Sequence, residues 1–191
     1  MSDRYGGQIL LKVLVLDNNS PFTSDILHCL DKLDQKYECR KCLEAPNPLY
    51  YDRIILSGRK KNDKRINAIN STTIRLCHTY DKPLLGICYG AEIIALTFGG
   101  AIRRAEQVVG MTKINIHREN DLITKMGIWE AYESHSYNIA RLPKDFVSVA
   151  NSRFSPYEIF CHNQKKIYGT QFHPERSGDF GFKLFRSFLS L

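Results

Sequence analysis

Gly86-Ile87-Cys88-Tyr89-Gly90 sets a cysteine between two glycines, directly after the apolar run Pro83-Leu84-Leu85-Gly86-Ile87. A strand, a sharp turn and a helix in that order make a nucleophile elbow, with cysteine where many hydrolases carry serine. Residues two away from such a nucleophile must lack side chains, because strand and helix approach each other closely there. The helix N-terminus turns its free N–H groups toward the sulfur and favours thiolate over thiol. The N–H of Tyr89 is then placed to hold a tetrahedral oxyanion. A buried structural thiol is the other role open to Cys88. The glycine flanking and the strand-helix junction weigh against it.

Gly169-Thr170-Gln171-Phe172-His173-Pro174-Glu175 supplies a base and a group to orient it. Pro174 keeps His173 out of helical backbone angles. In an extended segment residues two apart face the same way, so Glu175 is expected beside the His173 ring. A nucleophilic cysteine needs that combination, and it lies 85 residues beyond the elbow (173 minus 88).

The elements that must position these groups alternate along the chain. Leu11 to Leu16 is a short apolar run closed by Asp17-Asn18-Asn19 and reads as a buried strand. Phe22 to Leu33 carries apolar residues at the spacing of one helical face. Arg53 to Leu56 reads as a strand, Ile66 to Tyr80 as a helix, Pro83 to Ile87 as a strand, and Gly90 to Phe98 as a helix ended by Gly99-Gly100. Continuous apolar strands separated by helices predict an α/β fold with a mostly parallel, twisted sheet flanked by helices. Chemistry in such sheets gathers at the carboxyl ends of strands, which points to the loops after Leu16, Leu56 and Ile87. The stretch from Ile102 to Phe160, richer in β-formers and turns, is expected to add antiparallel strands at one edge.

At 191 residues and 43% hydrophobic content the chain is expected to form a single domain over 1–191, with 1–8 as a flexible N-terminal extension. No secretory signal or membrane-length apolar run is visible, so a cytoplasmic protein with reduced thiols at its six cysteines is expected. Cys39-Arg40-Lys41-Cys42 has the spacing of half a zinc site without the second half, so no metal is expected. The net charge is +7, and the densest basic run is Arg59 to Arg65. Without a nucleic-acid module or interleaved aromatics this run reads as a solvated basic loop, with an anionic substrate or acidic partner as the second reading.

The elbow and the Gln171-Phe172-His173-Pro174-Glu175 segment together resemble the class I, triad-type glutamine amidotransferases, over nearly the whole chain from Val13 to Leu189. The resemblance implies release of ammonia from L-glutamine through a γ-glutamyl thioester, with Cys88, His173 and Glu175 as the triad and no cofactor. It also implies an oxyanion hole from Gly58 and Tyr89, and glutamine contacts from Ser57, Gly58, Arg59, Glu92, Ser136 and Tyr137. Two positions depart from the family pattern. Arg59 and Lys60 follow Ser57-Gly58 where a glycine usually stands, and Glu92 occupies the place of a glutamine four residues after the cysteine. A carboxylate there should raise the Cys88 pKa. An ion pair between Arg59 and Glu92 across the pocket is expected to compensate; the alternative is a site that has lost efficient glutaminase activity.

Within the family the second half is similar to the glutaminase subunit of two-subunit GMP synthases, which implies that the partner is a separate ATP-pyrophosphatase-type synthase subunit. Asp17 to Thr23 is more like the glutaminase subunits of anthranilate and aminodeoxychorismate synthases. An orphan γ-glutamyl hydrolase and a weakly active or non-catalytic regulatory homologue stay open. His135 is expected to hydrogen-bond at the pocket wall or to contact a partner.

Overall fold

A computed structural model describes residues 11–191; the proposed extension 1–8 lies outside the described residues. The described residues form one nine-stranded mixed sheet. The parallel half is β1 (Val13–Asp17), β2 (Tyr37–Lys41), β3 (Arg53–Leu56), β4 (Leu84–Ile87) and β9 (Ile167–Thr170). The antiparallel half is β5 (Ala101–Ile116), β6 (Gly127–Arg141), β7 (Phe146–Asn151) and β8 (Ile159–His162). Across the sheet the order is β2-β1-β3-β4-β9-β8-β7-β5-β6, with the change of direction between β9 and β8. The parallel α/β core and its antiparallel edge agree with the sequence patterns.

The apolar strands are continuous because both faces are covered. Val13, Val15, Ile55, Leu85 and Ile87 pack on α1 (Thr23–Lys32) and α4 (Gly178–Leu189) through Ile26, Leu30, Leu184, Phe185 and Phe188. Leu14, Leu16, Ile54, Leu56 and Leu84 face the other way, against α2 (Lys64–Thr79) and α3 (Tyr89–Thr97) through Ile66, Ile74, Ala91 and Ile94. Successive side chains thus serve opposite layers, which is why these strands show no polar alternation.

Several boundaries differ from the expectation for identifiable reasons. Helix α2 begins at Lys64 rather than Ile66 because the Asp63 carboxylate accepts from the N–H groups of Arg65 and Ile66 and caps it. Strand β2 is an edge strand with half-exposed or exposed side chains, so it carries no apolar run to betray it. Helix α4 is an element not predicted above, although Phe180, Leu184, Phe185 and Phe188 recur at helical spacing and are buried. Among the described residues no helix is long and apolar enough to cross a membrane.

Helix α4 braces the segment that carries Glu175. A Cβ on Gly181 would collide with the carbonyl oxygen of Pro174. Gly181→Ala therefore forces the helix off the turn beneath it. Overpacking of this kind costs about 1–3 kcal/mol, and each kcal/mol shifts Tm by roughly 2–4 °C in a domain of this size. Thermal unfolding of Gly181→Ala should show a fall of several degrees; an unchanged Tm would show that the helix is free to move away.

Candidate active site

Cys88 joins β4 to α3 at φ 52° and ψ −107°, a backbone conformation that L-residues rarely adopt. Three sets of contacts hold it there. Its N–H donates to the Thr170 carbonyl on neighbouring β9 at 2.7 Å, and its own carbonyl accepts from Glu92 N at 3.0 Å. Gly86 and Gly90 pack without clearance: a Cβ on Gly86 would collide with Gly90 O, and one on Gly90 would meet Leu56 O at 2.5 Å. The glycine requirement inferred for the elbow is thus a contact of α3 with both β4 and the end of β3.

His173 follows β9 in extended conformation, φ −101° and ψ 95°. Its N–H donates to Tyr132 O on β6 at 2.8 Å, and its carbonyl accepts from Ser177 Oγ at 2.7 Å. The ring lies edge-on to Phe22 with centroids 4.8 Å apart. Nδ1 and Glu175 Oε1 are 2.8 Å apart, and the Cys88 sulfur lies close enough to the ring to interact with it. An ionised carboxylate only accepts, so Nδ1 carries the proton and Nε2 is free to take one. The orienting pair expected from sequence is present, but its geometry is different. Pro174–Arg176 is a single 3-10 turn, which folds Glu175 back under the ring. Strand alternation does not place it.

Protonation follows from this enclosure. Burial pushes the Cys88 thiol above its ordinary value and Glu92 adds to the rise, while His173 pulls it down. Burial acts against a charged His173, but the Cys88 sulfur and the Glu175 carboxylate outweigh it and raise the ring to about 10. Thiolate and imidazolium thus favour each other's charge across the site.

The loop after β3 runs beside this pair. A Cβ on Gly58 would lie 3.2 Å from His173 Cε1 and 3.7 Å from Cys88 Cβ, so the Gly58 backbone borders the space above the sulfur. A cavity of about 630 Å³ opens there, within the range of small-molecule sites. Arg59, Glu92, Ser136 and Tyr137 line it with Cys88, Tyr89 and His173. Neither Ser57 nor Gly58 is among its lining residues. Ser57 is fully buried, its Oγ accepting from Asn18 N at 2.9 Å and donating to Gly58 O at 3.0 Å, so it shapes the loop.

Two expectations need correction. The Arg59–Glu92 ion pair is not formed. Arg59 stacks on the Tyr89 ring at 3.7 Å and donates to Asn67 Oδ1 at 2.5 Å, while Glu92 Oε1 accepts from Gln171 Nε2 at 3.3 Å. Their interaction is limited to attraction across the cavity. The basic run is also not wholly a solvated loop, because Arg59, Lys60 and Lys61 line the cavity. Ser20, Pro21, Phe22, Gln107 and Ser134 join the lining as well, although none of them is among the expected site residues. Ser20 to Phe22 follow a strand end within the Asp17 to Thr23 segment, and Ser134 adjoins His135, Ser136 and Tyr137; Gln107 arrives through the β5–β6 ribbon and carries no signal.

Behind the cavity wall lies a second acidic group. His135 lines the wall with Nε2 2.9 Å from Glu133 Oε2, a close contact that departs from hydrogen-bond alignment. Burial lowers the His135 pKa against the opposing pull of Glu158 and Glu92. Glu133 and Glu158 are both fully buried and face each other; Glu158 Oε1 accepts from Ser152 Oγ at 2.6 Å. Burial raises both carboxyls, Glu133 to about 7, and their mutual repulsion adds to the rise at Glu158. Cys39 is exposed and Cys42 buried, and among the described residues no three His, Cys, Asp or Glu side chains come together as a metal site.

A model of the family described as glutamine amidotransferase class-I matches residues 14–190. A glutamine-hydrolyzing GMP synthase subunit of Thermoplasma acidophilum is 31% identical over 195 residues, covering 95% of this chain and 93% of that protein. The protein of the same name from Thermococcus kodakarensis is 35% identical over 188 residues, covering 94% and 97%. A crystal structure from Thermoplasma acidophilum, described as that of a GMP synthase subunit, superposes with a TM-score of 0.86 at 28% identity and covers 96% of this chain and 94% of that one.

Two measurements probe the buried acids. Glu92→Gln removes a charge that raises Cys88, so the pH midpoint of Cys88 alkylation by iodoacetamide should fall; an unmoved midpoint would mean that the carboxyl exerts no charge. Glu133 is stabilising when protonated, below its ordinary value of 4.5, and this contribution is lost as pH rises through about 7. Glu133→Gln should therefore match wild type in Tm near pH 4.5 and exceed it by several degrees at pH 8. A lower Tm at pH 8 would contradict the assignment.

Proposed function

The chain belongs to the class I glutamine amidotransferase family, and on that premise we propose that it is the glutaminase subunit of a two-subunit GMP synthase. It hydrolyses L-glutamine at Cys88 and delivers ammonia to a separate ATP-pyrophosphatase-type synthase subunit. The observation that carries the chemistry is the meeting of Cys88, His173 and Glu175 from distant parts of the chain, with Cys88 and His173 lining one cavity and Glu175 buried behind the ring. The acceptor is supported by relatives of that name matching nearly the full length of both chains.

In this reading the Cys88 sulfur attacks the side-chain amide carbon of glutamine while His173 Nε2 takes the thiol proton. Charge develops on the amide oxygen, and the N–H groups of Gly58 and Tyr89 stabilise it. His173 returns the proton to the departing nitrogen, which leaves as ammonia and yields a thioester. Water, deprotonated by the same ring, then attacks the thioester and releases glutamate. Glu175 holds the proton-bearing Nδ1 throughout, so Nε2 stays aimed at the sulfur.

Ammonia release from L-glutamine decides the matter when wild type and Cys88→Ala are assayed alone and with a GMP synthase ATP-pyrophosphatase subunit. Wild type should turn over and be stimulated by that subunit, and Cys88→Ala should lose on the order of a thousandfold or more. Equal, negligible turnover by both, with and without the subunit, would overturn the enzyme reading. Turnover without stimulation would overturn the acceptor.

A further inference from the structure

The two oxyanion donors belong to different elements. Tyr89 N–H opens α3, while Gly58 N–H sits in the irregular stretch between β3 and α2. Donors that must meet one developing charge need their separation fixed to about half an ångström. The backbone of an irregular loop does not by itself provide this.

We propose that Arg59, Asn67 and the Tyr89 side chain form a clamp that fixes the oxyanion loop against the nucleophile helix, making Arg59 and Asn67 positioning residues for the glutaminase reaction. This rests on the glutaminase reading above. The Arg59 guanidinium lies over the Tyr89 ring at 3.7 Å, and its Nη1 donates to Asn67 Oδ1 at 2.5 Å. Tyr89 Oη donates to the same oxygen at 2.8 Å, so one acceptor joins the loop residue to the helix residue. On the upstream side Asn18 Nδ2 donates to Ser57 O at 2.9 Å, and Asn18 Oδ1 accepts from Asn70 Nδ2 at 2.7 Å. Gly58 is therefore held at both neighbours. Asn67 and Asn70 both lie on α2, which serves as the common anchor.

The clamp explains why the chain tolerates Arg59 next to Gly58. A planar guanidinium stacks flat on an aromatic face while an in-plane N–H donates to an amide oxygen, a combination that a lysine ammonium does not reproduce. The loop is held by a side chain reaching across to α3.

The experiment is steady-state glutaminase kinetics of Arg59→Lys, Arg59→Ala and Asn67→Ala beside wild type, with Tm and the rate of Cys88 alkylation by iodoacetamide. Alkylation passes through no tetrahedral oxyanion, so it reports the sulfur without the hole. A misplaced donor should lower kcat by roughly tenfold to a hundredfold, less than the loss of a donor outright. KM, Tm and the alkylation rates of Arg59→Lys and Asn67→Ala should stay close to wild type. Arg59→Lys should fare no better than Arg59→Ala. Raised KM with unchanged kcat would make Arg59 a substrate contact and overturn the clamp. So would full activity in Arg59→Lys, or alkylation falling in step with kcat. Wild type active with every variant equally active sinks the clamp alone; wild type without turnover sinks the glutaminase reading and the clamp with it.

Discussion

The backbone of Cys88 is held in a conformation that costs about 1–3 kcal/mol for a residue with a side chain, and much of the surrounding structure serves to hold it. The strain is local, but the restraints come from three strands. β4 delivers the residue, β9 accepts its N–H, and β3 packs its last carbonyl against Gly90. A parallel sheet suits this task because it brings several strand ends to the same level, each followed by a loop. Here the loops after β1, β3, β4 and β9 contribute Phe22, Gly58, Cys88 and His173 to one volume.

The second half of the triad depends on the antiparallel edge. His173 is fixed by Tyr132 and Ser177, and Ser177 Oγ also accepts from Tyr132 N at 2.9 Å. Arg176 stacks over both Phe22 and Tyr132, at 4.6 and 4.5 Å. The β6 ribbon thus grips the histidine loop from one side while α4 braces the Pro174 turn from the other. This is how a 3-10 turn with a buried glutamate keeps a single geometry.

Electrostatically the site is dominated by buried carboxyls. Glu92, Glu133 and Glu158 share one region with His135, and burial raises all three. Burial makes each of these carboxyls harder to ionise, so desolvation opposes the negative charge through which Glu92 raises Cys88. Arg59 moderates Glu92 from a distance while its geometry is committed to Tyr89 and Asn67.

Sequence alone determined the parallel core, the elbow and the histidine–glutamate pairing. Those features are written in local patterns: continuous apolar strands, glycines two residues either side of Cys88, and a proline that fixes His173. Helix α4 is legible too in the spacing of Phe180, Leu184, Phe185 and Phe188, although it is not among the predicted elements. Strand β2 is not legible, because an exposed edge strand needs no apolar pattern. The packing of distant elements sets where Arg59 goes, returns Glu175 through a tight turn, and brings Gln107 and Ser134 to the cavity. Each of these depends on distances between elements far apart in the chain, and a side chain with two feasible partners, such as Arg59 with Glu92 or Tyr89, is assigned only when the packing fixes which is nearer.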